Sequence, residues 1–174
     1  MSYANNPTSI LAGTGISITP TTGTGSTTVI TSGAGGLATI TPGGANTVTT
    51  AYKTAPMFQF VPGQQAWYLT RVAPSATPAG GSFSVGMQAG SSGSDSILFT
   101  KSTGSTTINL TSSVASTVTT LATGVATVSA NSYVDLGLHY TSSGDLEVFA
   151  NDNLVARVTA PTVGTSGTTI TSQT

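Results

Sequence analysis

Between residues 133 and 159 apolar and polar side chains alternate one for one, in three runs separated by turn residues. In 133–140, Val134, Leu136, Leu138 and Tyr140 point one way while Asp135 and His139 point the other. In 145–150, Leu146, Val148 and Ala150 alternate with Asp145, Glu147 and Phe149. In 154–159, Leu154, Ala156 and Val158 alternate with Val155, Arg157 and Thr159. Wound into a helix, a period of two would scatter its apolar groups around the whole circumference; it therefore predicts three antiparallel strands with one buried face. Keeping the apolar faces together requires odd loops, of three or five residues around 142–144 and three at 151–153. Leu138, Val148 and Ala156 then form an inward row, and His139, Glu147 and Arg157 an outward one.

The same grammar runs upstream. Segments 57–61, 66–72, 82–89, 96–100 and 106–111 are rich in β-branched and aromatic residues, with Gly and Pro between them. The stretch 113–129 is too dense in β-branched residues for a helix and adds one or two strands. No segment predicts a helix. Eight or more short antiparallel strands within 52–159 predict an all-β fold, an antiparallel β-sandwich of the jelly-roll kind.

Residues 1–51 are different in kind. All four Lys and Arg residues and all five Asp and Glu residues lie between Lys53 and Arg157, and only Tyr3 among the aromatic residues lies outside 52–149. The chain therefore divides into an extended, Thr/Gly-rich N-terminal arm (1–51), a core domain (52–159) and a short tail (160–174). Within the arm a β-branched tetrapeptide followed by a turn residue recurs at 16–20, 28–32 and 38–42, and again in the tail at 168–172. This spacing suits a meander or fibre-like repeat. The arm has too few large apolar side chains to offset ordering entropy of ~1–2 kcal/mol per residue, so it is expected to pair with sister chains, the core domain or another protein's surface.

With a net charge of −1 and four scattered cations, the chain cannot assemble a basic patch, so nucleic acid is not an expected partner. No apolar run approaches the ~18 residues of a membrane span. The first ten residues have neither a basic nor an apolar leader region, so no secretory signal is expected. A β protein assembled in the cytoplasm and released by lysis fits these constraints.

Candidate chemistry is sparse. The row His139, Glu147 and Arg157 is the one cluster of ionisable groups the alternation builds, and it reads as a cross-strand pairing on an outer face. A Ser–His–acid triad would need His139, the single histidine; Asp135 lies about 13 Å away along one strand. There are no cysteines, and Asn151, Asp152 and Asn153 suit a tight turn better than a calcium loop. No enzyme activity, cofactor or metal is expected. Trp67 and Tyr68 are adjacent, so one belongs to the core and the other is exposed, to pack on a neighbouring subunit or stack on a sugar.

The segment 133–158, with the phrase from Gly144 through Asn151, resembles the strand–hairpin–strand signature of concanavalin-like and laminin-G-like jelly rolls. None of that family's ligand residues is matched here. The sequence 10–20, "ILAGTGISITP", with the repeats after it, resembles the N-terminal parts of tailed-bacteriophage fibre and capsid decoration proteins. That resemblance implies a virion protein, a cement or head-fibre protein on the capsid exterior. Its arm would dock on the major capsid protein, its β domain would project outward, and it would assemble as a homotrimer. The alternative it leaves open is a glycan- or receptor-binding module of a fibre, recognising a host-surface glycan.

Overall fold

Every regular element among the described residues is a strand. The computed structural model describes residues 16–22, 27–31, 37–41, 48–53, 60, 63–74, 77–88, 95–159, 161 and 171–173. The chain divides into two units, Met1–Ala55 with Gln173–Thr174, and Pro56–Ser172.

In the first unit, β1 (Ile16–Thr22) pairs antiparallel with β4 (Val48–Lys53), from Ile16 opposite Lys53 to Thr22 opposite Val48. Pro20, which has no N–H to give a ladder, lies beside the irregularity between Pro20 and Thr22. The hairpin β2 (Thr27–Thr31) and β3 (Leu37–Thr41) pairs with itself. Three of the four strands fall on the recurring tetrapeptides. The fourth, β4, does not, and it spans the composition boundary at 51/52. The described ladders β1–β4 and β2–β3 join these strands to one another. Of the phrase at 168–172, only the part within β13 (Thr171–Gln173) is described, where Gln173 pairs with Tyr52.

In the second unit, two antiparallel sheets of four strands face each other as a β-sandwich. The back sheet is a meander of β6 (Phe83–Gln88), β7 (Ser96–Lys101), β8 (Thr107–Val114) and β9 (Thr117–Thr127). The front sheet runs β12–β11–β10–β5, with β5 (Ala66–Val72), β10 (Val134–Tyr140), β11 (Leu146–Ala150) and β12 (Asn153–Val158). Inward residues of both sheets form one core, among them Met87, Ile97, Phe99, Ile108 and Leu110 from the back, and Leu136, Leu138, Leu146 and Val148 from the front. Of the expected strand 57–61 only Phe60 lies among the described residues. It is buried outside any strand, its ring 4.8 Å from that of Tyr140.

The register of the last three strands follows the alternation, with Leu138 opposite Val148 and Val148 opposite Ala156. The β10–β11 loop has five residues, closed by Thr141 N–H on the Asp145 carbonyl at 2.9 Å and by Gly144 N–H on the Thr141 carbonyl at 2.9 Å. The β11–β12 loop corrects an expectation. It has two residues, Asn151 (φ 48) and Asp152 (φ 64), the left-handed pair of a type I′ turn, in place of three. The remaining residue is taken up as a bulge at Val155, because Val148 faces Ala156 while Phe149 faces Leu154. Leu154, expected inward, is thereby turned to the outer face, where it is 52% exposed.

Candidate functional site: the outer face of the front sheet

Outward side chains of the front sheet fall into three cross-strand rows. The first runs across all four strands: Trp67 opposite His139, His139 opposite Glu147, Glu147 opposite Arg157. Trp67 and His139 stack face to face, ring centroids 3.9 Å apart and planes within 8°. His139 Nδ1 lies 2.9 Å from Glu147 Oε2, and the other carboxylate oxygen, Oε1, accepts from Arg157 Nη2. His139 Nε2 faces Gln65 Oε1 at 3.2 Å. The hydrogen bond from His139, with Arg157 adding to it and burial opposing, holds the Glu147 carboxyl below the usual carboxylate range.

The middle row is apolar. Leu69, Gly137, Phe149 and Leu154 lie side by side, and Leu69 and Phe149 close over the bare α-carbon of Gly137. Trp67 leans onto Phe149, centroids 5.8 Å apart, and joins this row to the first. The third row is the bidentate pair Arg71–Asp135, Nη2 donating to Oδ2 at 2.8 Å and Nε to Oδ1. Those bonds lower the Asp135 pKa and raise that of Arg71, whose guanidinium also lies 5.8 Å from the centre of the Tyr133 ring. Asn151 ties the tight turn to the start of β10, its N–H on the Asp135 carbonyl at 2.8 Å and its Oδ1 accepting the Asp135 N–H at 3.0 Å.

The alternation of β5 places the two adjacent rings on opposite sides. Trp67 is 50% exposed on the outer face and Tyr68 is 7% exposed in the core. The Tyr68 hydroxyl has no hydrogen-bond partner among the described residues, and burial pushes its pKa up to about 12 against the opposing influence of Thr70. The other buried polar group of note, Lys101, is satisfied: its Nζ donates to the carbonyls of Gly81, Ser105 (3.1 Å) and Ser102 (3.3 Å), while burial lowers its pKa.

In chemical terms the ionisable groups of this face are already engaged with one another. The imidazole and the carboxylates are bonded to neighbours, and among the described residues there is no group of three or more His, Cys, Asp and Glu that could hold a metal. The large apolar side chains left open here are Trp67 at 50%, Leu69 at 71% and Leu154 at 52% exposure, alongside the paired but exposed guanidinium groups of Arg71 and Arg157. Sequence reasoning placed the row 139–147–157 and Phe149 on one outer face and left open which of Trp67 and Tyr68 is exposed; it set Leu154 inward and missed Leu69 and the Arg71–Asp135 pair. Leu69, the Arg71–Asp135 pair and the choice of Trp67 as the outer ring belong to the β5–β10 pairing, between strands more than sixty residues apart, which no local pattern encodes. Comparison with family models, with curated proteins and with solved structures finds no match.

Proposed function

We propose that the chain is a structural protein of a tailed-bacteriophage particle, a capsid decoration or head-fibre protein that adds contacts and performs no reaction. The observation that carries this reading is the outer face of the front sheet. Its charges are paired among themselves, and beside them Leu69, Phe149 and Leu154, with Trp67 leaning onto Phe149, form an apolar band in which Trp67, Leu69 and Leu154 are each half or more exposed. Apolar patches of that kind mark interaction sites on soluble proteins. The charge-free first fifty residues supply the complementary part, an arm that adds strands to the major capsid protein by backbone pairing, a mode that needs no charge. The test compares the full chain with a variant lacking 1–55 in co-sedimentation with capsids purified without this protein. The full chain is expected to pellet with the particles and the shortened chain to stay in solution while keeping its β circular-dichroism spectrum. Equal attachment by both overturns the anchoring role.

A second reading, recognition of a host-surface glycan, is favoured by one observation. The Trp67 ring is held rigid on one side by His139 and is half exposed, with Gln65, Glu147 and Arg157 along the same row. An aromatic platform fringed by hydrogen-bonding groups suits the apolar face of a pyranose. Glycan-array binding that disappears in Trp67→Ala would select this reading.

A further inference from the structure

β5 is a terminal strand of the front sheet, and among the described residues no strand pairs with its free edge. Exposed edges present a row of unpaired N–H and C=O groups, and proteins blunt them with bulges, prolines or charges. The other terminal strand of this sheet, β12, is broken by the Val155 bulge and carries Arg157. In the back sheet, β9 departs from regular pairing with β8 twice, between Ile108 and Leu110 and between Leu110 and Thr111. β5 has neither device. Its seven residues keep one unbroken register against β10, and its single charge, Arg71, is already paired with Asp135.

We propose that β5 pairs antiparallel with β5 of a second copy of this chain, about a two-fold axis through Leu69. In this register Ala66 meets Val72, Trp67 meets Arg71, Tyr68 meets Thr70 and Leu69 meets its own copy, so the whole strand is used. Moving the axis to Tyr68 or Thr70 strands two residues at each end, and moving it to Arg71 sets guanidinium against guanidinium. The side chains fit the same register. Because His139 covers the β10 side of the Trp67 indole, the other ring face looks past the sheet edge, where Arg71 of the second copy arrives. The N–H fork of Arg71 is engaged with Asp135 of its own chain, which leaves the guanidinium plane to stack on that ring. Leu69, the most exposed large apolar side chain of the described residues, is buried against its twin. The two front sheets become one sheet of eight strands. This two-fold pair takes the place of the three-fold assembly expected from the arm, and it stands on β5 alone, independent of the virion reading.

The test measures the mass of the full 174-residue chain by sedimentation equilibrium, up to on the order of 100 µM. The parent is expected at twice the chain mass of 17.2 kDa. Leu69→Lys and Leu69→Glu each place like charges on the axis, and each alone is expected to sediment as a single chain with an unchanged circular-dichroism spectrum. Mixed in equal amounts, the two variants are expected to recover the double mass. A parent that stays a single chain, a parent of three chains, an assembly unmoved by either substitution, or a mixture that stays dissociated overturns the proposal.

Discussion

The two sheets of the sandwich bury the same kinds of side chain between them and differ in what they carry outside. On the outer face of the back sheet stand Ser84, Leu98, Thr100, Asn109, Thr111, Ser113 and Val118, hydroxyls, an amide and two aliphatic groups without a charge or a ring. The front sheet holds four of the nine charged residues there, Arg71, Asp135, Glu147 and Arg157, together with the only histidine and the only tryptophan. A core needs volume and shape, and both sheets supply them. The outer faces are free of that demand, so the concentration of charge and aromatic rings on one of them is not dictated by filling the core.

The glycines at the centres of the two sheets put this contrast to its hardest test. In the back sheet, a Cβ on Gly86 would land on the Ile97 carbonyl oxygen and 2.9 Å from Leu98 Cα, both backbone atoms with nowhere to go. Gly86→Ala is expected to cost about 3 kcal/mol in urea unfolding, because the β6–β7 ladder must open to admit the methyl. The ionic rows of the front sheet come next. The Asp135 and Glu147 pKa values are depressed in the folded state, so their stabilisation is complete above the ordinary carboxylate pKa of about 4 and is lost as pH falls through the depressed values. The urea midpoint should therefore drop below pH 4, and Glu147→Gln should shrink that drop while lowering the neutral-pH midpoint slightly. A pH profile identical in parent and variant would remove the row from the account. The smallest effect belongs to Gly137 of the front sheet. A Cβ there meets Leu69 Cδ2 at 3.0 Å, the tip of an exposed side chain that can swing aside. Gly137→Ala is expected to change stability by less than about 0.5 kcal/mol. Equal losses at Gly86 and Gly137 would erase the distinction between a face closed by backbone and a face closed by mobile side chains.

How much of this was legible beforehand depends on the distance over which each feature is encoded. Strands β10, β11 and β12 are joined by short hairpins, so alternation and turn residues together set their pairing, and the placement of His139, Glu147 and Arg157 follows from it. Two tight turns show where that logic ends. Asn151 and Asp152 advertise a left-handed turn, since both residue types tolerate positive φ. Ala115 (φ 48) and Ser116 (φ 67), between β8 and β9, have the same geometry with no such signal. The Ala115 N–H is held there by the Asp95 carboxylate at 2.7 Å, a contact from twenty residues upstream that the local sequence does not contain. The union of Trp67 with His139 is hidden for the same reason. It exists only after β5 has found β10, and that choice is made by the whole core.

The surplus residue at Val155 has a consequence for the number of chains that can join. The pairings on either side of it, Val148 with Ala156 and Phe149 with Leu154, would stay in phase without it, so the ladder does not require it. What it does is spoil β12 as a docking edge. A front sheet with one smooth edge is monovalent through that sheet, and the proposed two-fold contact uses up that valence at two copies. With β12 smoothed as well, each molecule would be divalent, and the pair would become a link in an open-ended filament. A single extra amino acid is thus set where it caps growth, and length tolerance in this hairpin is a matter of assembly size.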